Sequence, residues 1–275
     1  MSMQTQLRKL QLTQLEILKV IDGICREHGI PYSLYAGTLL GAVRHQGFIP
    51  WDDDLDICMS RSAYNRFLAV WETVNPEGYI LQNKENSPDF TQSFSKIRKR
   101  NTTDQMQVDL GKQYYQGIFV DIFPIDRIPN GRFQRILFRI HCMLYQLYTR
   151  EFVPPKGNPV VKLVSKGILK LTPTALRPRL RASVLKQITR YSDDKSLQTI
   201  AIETVGTLRT LYPEDMLDHY TELPFEDSSF QCFSCYDDHL RRKFGDYMQL
   251  PPQEERTWRH PPLQMNFECY TLSDG

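Results

Sequence analysis

Nowhere does the chain of 275 residues run apolar for the roughly eighteen residues that a membrane-crossing helix needs, and its first residues carry no charged leader before an apolar core. Neither a spanning helix nor a secretory signal is expected, and the cytoplasm is the expected location. Cysteine is sparse as well. Six cysteines scattered over this length do not make a disulfide scaffold, which favours a reducing compartment. One pair, Cys232 and Cys235 with His239 nearby, has metal-ligand spacing, but no second CxxC follows and zinc is a weak reading. No DNA- or RNA-binding motif is present, so nucleic acid is not an expected partner. The net charge of +2 decides nothing about partners, while 41% hydrophobic content is enough for a substantial core in one elaborated domain or two small ones.

Acid is abundant in one place. Asp52, Asp53, Asp54 and Asp56 fall within five positions, flanked by Ile49, Pro50 and Trp51 before and Ile57, Cys58 and Met59 after. A bare acidic run is ordinarily a solvated loop. Embedding in apolar sequence argues otherwise. If the segment is extended, alternation puts Asp52, Asp54 and Asp56 on one face and Leu55 and Ile57 on the other. Three converging carboxylates call for a cation, and hard oxygen ligands select Mg2+ or Mn2+ over zinc or copper. Upstream, Gly37 and Thr38 open a short helix after an apolar run, an arrangement that lets backbone N–H groups meet phosphate. Arg44 and His45 adjoin the motif as a phosphate contact and a group for proton transfer, or as loop anchors.

The chain otherwise alternates helices and strands. An amphipathic helix carries Leu10, Ile17, Ile21 and Ile24, with Thr13 and Glu16 as a capping box and Gly29 as a stop. Tyr64, Phe67, Leu68 and Trp71 mark a second helix, closed by Asn75-Pro76. Residues 79–82 and 93–98 read as strands. The second bears Lys96, the preferred phosphate contact in a basic cluster, because its apolar neighbours anchor it on the sheet. The polar stretch 101–116 reads as a mobile loop over the site. Asp121 lies in the middle of the apolar run 117–124, where desolvation would penalise it unless paired or metal-bound; pairing with an arginine is the structural alternative. From Arg132 to Arg190 there are 13 Lys or Arg and one acid, Glu151, so this stretch carries +12 and the remainder −10. Its cations interleave with large apolar residues, while Pro154, Pro155, Pro159, Pro173 and Pro178 divide it. That pattern suits the surface of an anionic membrane, or else a solvated basic face. Further on, Tyr212-Pro213 reads as a helix start, 225–233 as a hairpin, and 236–244 as a helix ended by Gly245.

The run GTLLGAVRHQGFIPWDDDLDI, Gly37 to Ile57, resembles the signature of the LicD phosphotransferase family, related to the fukutin group. Similarity continues through Ser95-Lys96-Ile97, FVDIFPID at Phe119 to Asp126, and FGDYMQLPP at Phe244 to Pro252. The resemblance implies an α+β fold, a nucleotidyltransferase-like mixed sheet flanked by helices, here with a basic helical insertion. The expected division is a catalytic core at 1–131, a basic helical subdomain at 132–195 and a C-terminal part at 196–275 that completes the catalytic domain. The implied activity moves a phospho-alcohol, most simply phosphocholine, from a CDP-activated donor to a glycan or its lipid-linked precursor. Asp54 and Asp56 would then hold the metal with Asp52 and Asp121 beside them, and Asp121 would act as base. Gly37, Thr38, Arg44 and Lys96 would meet the donor phosphates. Tyr35 and Trp51 would face a quaternary ammonium, and His45 would assist proton transfer. Residues 246–252 would return to the rim of the site. Two other readings remain open: a nucleotidyltransferase that builds a CDP compound from CTP, and a non-catalytic module that binds the inner face of the cell membrane.

Overall fold

A computed structural model describes residues 2–153, 158–202 and 210–270. Helix α1 (Met3–Glu27) starts at Ser2, whose hydroxyl accepts the Thr5 amide at 3.2 Å. The expected capping box is therefore inside the helix, where the Thr13 hydroxyl donates to the Lys9 carbonyl at 2.8 Å. Then follow β1 (Ser33–Leu34), α2 (Ala36–His45), β2 (Asp56–Ser60), α3 (Arg61–Val74), β3 (Tyr79–Gln82), β4 (Ser95–Lys99), β5 (Thr103–Gln105) and β6 (Phe119–Arg127). Three helices come next, α4 (Arg132–Arg150), α5 (Pro159–Leu171) and α6 (Arg177–Thr189). The chain closes with β7 (Thr199–Ile202), β8 (Tyr212–Pro213), β9 (Tyr220–Phe225), β10 (Ser228–Phe233), α7 (Tyr236–Phe244) and β11 (Gln264–Asn266).

Seven strands form one mixed sheet in the order β1-β2-β6-β4-β3, with β7 also on β6 and β8 on β7. Strands β2 and β6 run parallel and the other neighbours antiparallel. The architecture is α+β, a mixed sheet flanked by helices, as the resemblance implies. Side-chain alternation divides the sheet's work between its faces. Ile57, Met59, Ile97, Val120 and Ile122 join one core with Ile17, Leu18 and Ile21 of α1 and Phe67 and Trp71 of α3. Each such side chain contributes roughly 1.5–3 kcal/mol of burial, so this face anchors the sheet. Cys58, Phe123 and Ile125 point the other way and pack with Tyr35, Ile200, Tyr212 and Phe233. Arg61 at the start of α3 straps the two sides by donating through Nε and Nη2 to buried Asp126 of β6, at 2.7 and 2.6 Å.

One local expectation is overturned and another refined. Residues 101–116 border the site as expected, since Met106, Gln107, Val108, Asp109 and Tyr114 line a cleft with Asp54 and Asp121, but they carry β5 and a 3-10 turn at Gln107–Asp109 fastened by inward-turned polar groups. The Thr102 hydroxyl donates to the Lys99 carbonyl and accepts the Ile118 amide, the Gln116 side chain donates to the Asp109 carbonyl, and β5 pairs with β11. Tyr212-Pro213 is strand β8, in register with Thr199 and Ile200, and a 3-10 turn at Glu214–Leu217 follows it. Pairing keeps both residues extended.

The basic segment is a small helical unit. Helices α4 and α6 pack through Phe138, Cys142, Tyr145 and Ile188 onto Ile128 and Ala201. Helix α5 buries no side chain. Glu151, the segment's single acid, lies 3.1 Å from Lys84 of the body and 3.3 Å from Arg177. Pro154 and Pro155, expected to divide the helices, lie outside the described residues. Among those described, no helix is long and apolar enough to cross a membrane.

Candidate active site

Strand register assembles the first part of the site. Asp56 of β2 stands opposite Asp121 of β6, and Asp121 stands opposite Lys96 of β4. Cross-strand partners share a face, so the three form a row on the side of the sheet away from α1 and α3. Asp121 is 9% exposed. Its carboxylate accepts from the Lys96 ammonium at 2.7 Å, and that ammonium also lies 3.2 Å from the centre of the Phe119 ring. The partner of Asp121 is thus a lysine rather than an arginine. Burial pushes the Asp121 carboxyl above its usual range while Lys96 opposes the rise, and burial pulls the Lys96 ammonium down.

The residues before β2 supply the second part. Asp52, Asp54 and Asp56 line one cleft of about 680 Å³ together with Ala36, Gly37, Arg44, Trp51 and, from the C-terminal region, Asp246, Tyr247, Pro251, Pro252 and Arg259. Burial, then the charges of Asp54 and Asp53, push the Asp52 carboxyl up to about 7. Burial, then Asp53 and Asp121, push Asp54 up to about 6. Space for Asp52 depends on Gly37: a Cβ at that position would stand 2.4 Å from Asp52 Oδ2. The turn into α2 is tight, and Ala36 takes a left-handed φ of +48°, a strained conformation for a residue with a side chain.

The other expected residues fall into distinct roles. Thr38 is buried, its hydroxyl accepting the Asp56 amide at 2.8 Å, so it ties α2 to the start of β2. Arg44 lines the cleft; its Nε donates to His45 Nε2 at 3.0 Å and its Nη1 to the Tyr247 carbonyl at 2.9 Å. His45 therefore steadies Arg44, and burial with the Arg44 charge depresses its pKa. Trp51 is at the cleft wall, edge-on to His45. Tyr35 is not at that wall: it is buried against Phe123 and His239, with the Lys243 ammonium 4.2 Å from its ring centre. Lys96 faces a second cleft of about 460 Å³, which it lines with Phe94, Phe119, Asp121, Asp54 and Arg259. His239 stacks on Tyr212 with ring centres 4.5 Å apart, and Cys232 is fully buried with its thiol pushed up to about 12, mainly by burial.

Sequence reasoning missed the segment around Trp258. Asp53, set aside by strand alternation, is buried and accepts the Trp258 Nε1–H at 2.7 Å and the His260 backbone N–H at 3.0 Å. Among the described residues, Asp53, Asp54 and His260 are the acidic and histidine groups compact enough to hold an ion, their ligand atoms lying within 4.8 Å of one another. The only signal in the chain was the mixture of aromatic and basic residues in Trp258-Arg259-His260.

The chain is similar in sequence to known proteins. Residues 29–154 match the family described as LicD/FKTN/FKRP, nucleotidyltransferase domain. The lipopolysaccharide cholinephosphotransferase LicD of Haemophilus influenzae is 31% identical over 259 residues, which cover 92% of this chain and 96% of that protein. Shorter stretches match uncharacterized proteins of Rickettsia typhi, 35% identical over 77 residues (28% of this chain, 25% of that one), and Rickettsia prowazekii, 49% identical over 49 residues (18% of each). The close fit of Gly37 against Asp52 makes a direct prediction. Should Asp52 hold a divalent cation, Gly37→Ala is expected to weaken Mn2+ binding by about tenfold or more, the scale of losses when a ligand's support is disturbed, with the melting temperature nearly unchanged. Electron spin resonance titration measures it, and unaltered Mn2+ affinity would contradict the role given to that contact.

Proposed function

The chain belongs to the LicD family, and from that premise we propose that it is a phosphotransferase moving phosphocholine, or a related phospho-alcohol, from a CDP-activated donor to a hydroxyl of a cell-surface glycan or its lipid-linked precursor. One observation carries the reading: Asp52, Asp54 and Asp56 line a single cleft, and Asp54 also borders the neighbouring cleft that holds Asp121 and Lys96. The donor set suits a hard divalent cation. It consists of carboxylate oxygens, and the cost of burying Asp52 and Asp54 beside other carboxylates is what a positive ion relieves. Asp52, Asp54 and Asp56 would hold Mg2+ or Mn2+ once Asp52 and Asp56 draw in toward Asp54, whose compact neighbours as it stands are Asp53 and His260; the ion when bound would neutralise diphosphate charge and favour departure of CMP.

The chain's own groups divide the remaining work. The donor diphosphate lies in the larger cleft, against the turn at Gly37 and the anchored guanidinium of Arg44. The acceptor oxygen forms a bond to the phosphorus bearing the alcohol as the bond from that phosphorus to the bridging oxygen breaks, and CMP leaves with the electron pair. Asp121 takes the hydroxyl proton. Burial raises its pKa, which makes it a stronger base than an ordinary carboxylate, and the Lys96 ammonium opposes that rise. Trp51 is the aromatic at the cleft wall for a quaternary ammonium, with the Arg256 guanidinium already 5.7 Å from its ring centre, whereas the buried Tyr35 ring is covered by Lys243 at 4.2 Å. His45 acts through Arg44, since its Nε2 accepts the Arg44 hydrogen bond. In this reading 1–131 and 196–275 build the catalytic domain and 132–195 is a docking unit.

Membrane docking fits the segment's surface. Leu163 and Leu171 of α5 are 73% and 84% exposed, Val160 and Val164 of the same helix and Phe133 and Ile136 of α4 are exposed as well, and the segment bears +12. A lipid-linked acceptor would be met there, at the cytoplasmic leaflet.

Asp54→Asn and Asp56→Asn are each expected to lower CMP release from CDP-choline on the order of 10²-fold or more with the fold intact, in keeping with losses of charge-stabilising groups. EDTA should stop the reaction and Mg2+ or Mn2+ restore it. Full activity in either variant would refute the site, and pyrophosphate release from CTP would instead indicate nucleotidyl transfer. Replacing Lys162, Lys166 and Lys170 by Gln should reduce partitioning onto phosphatidylserine vesicles, each charge near the surface being worth about 1 kcal/mol; unchanged partitioning in flotation assays would remove this face as the contact.

A further inference from the structure

The larger and smaller clefts share two residues, Asp54 and Arg259. The Arg259 side chain is exposed and has no hydrogen bond or ion pair among the described residues. Its neighbours on both sides are fastened to one carboxylate. Asp53 Oδ2 accepts the indole N–H of Trp258 and the backbone N–H of His260, and Asp53 is itself held to α1 by Gln14, whose side chain donates to the Asp53 carbonyl at 2.8 Å. Two fixed flanking residues leave the intervening side chain to project toward the junction. A guanidinium there, beside Asp52 and Asp54, offers a planar fork of donors that matches two phosphate oxygens at once.

We propose that Arg259 grips the donor's diphosphate where the two clefts meet, and that Asp53 is the positioning residue that aims it. The proposal rests on the phosphotransferase reading for the identity of the donor, but it concerns a contact that can be measured without turnover. It also accounts for the odd member of the aspartate run. Asp53 lines neither cleft, and it acts through the C-terminal segment.

The probe is CDP, titrated calorimetrically into the full chain with Mg2+. Arg259→Ala is expected to weaken CDP binding by about 10-fold or more, and Arg259→Lys, which keeps charge without the fork, to recover only part of it. Asp53→Ala should cause a similar loss, and the double variant should bind no more weakly than either single one. Asp53→Asn retains an oxygen for the indole donor and should restore most of the affinity; the Trp258 indole N–H resonance should move in Asp53→Ala and return in Asp53→Asn. CDP affinity unchanged in Arg259→Ala overturns the grip. Multiplying losses in the double variant, or loss of Mn2+ binding in Asp53→Asn, overturns the positioning role and makes Asp53 a ligand. A chain that binds CDP through Arg259 but releases no CMP from CDP-choline or other CDP-alcohols keeps this proposal and loses the phosphotransferase reading; CMP release undiminished in Arg259→Ala does the reverse. A chain with no CDP binding loses both.

Discussion

Carboxylates held together in a partly dehydrated wall are costly, and Asp52 and Asp54, raised to about 7 and 6 first by burial and then by neighbouring negative charge, carry the mark of it. The fold tolerates it because the opposite face of the sheet is largely apolar, with its buried Asp126 answered by Arg61 and its Ser95 by Tyr64. Ile57, Ile97, Val120 and Ile122 bury against α1 and α3, and each is fully buried. Neighbouring positions on the same strands, Asp56, Lys96 and Asp121, are thereby committed to the other side. A one-residue slip in β2 or β6 would exchange the two sets and put carboxylates into the core. Stability and chemistry are tied by register.

Electrostatic compensation takes more than one form along the sheet. Asp121 has Lys96 at 2.7 Å, and that lysine is further held over Phe119. Buried Arg61 and Asp126 answer each other at the far end of β6. The cleft wall sets Arg44, Lys243 and Arg259 among Asp52, Asp54 and Asp56, beside the N-terminus of α2. In the proposed reading the cation belongs with those three aspartates and proton transfer with Asp121. Asp53, turned inward to Trp258 and His260, joins the motif to a segment two hundred residues away in sequence.

Much of this was legible in the chain. Period-two alternation from Asp52 to Ile57 separated cleft from core, and the apolar surroundings of Asp121 marked it as a residue needing a partner. Helices α3 and α7 ended where Asn75 and Gly245 provide left-handed positions. What the sequence did not disclose depends on distant pairing. The polar stretch 101–116 reads as loop because its order comes from β11 and from buried side-chain hydrogen bonds. Tyr35 looked like a cleft aromatic because it and Trp51 bracket the motif, yet the turn at Ala36 directs its ring into the second core. His260 and Arg259 had no local pattern to announce them; only the fold brings them to Asp53 and Asp54.

The central claim is that the alternating aspartates converge on one divalent ion. Anomalous diffraction from crystals soaked in MnCl2 tests it most directly. The predicted result is a manganese peak in the larger cleft, bonded to oxygens of Asp52, Asp54 and Asp56. A peak between Asp53 and His260 instead, or none while the three carboxylates face bulk solvent, would contradict it.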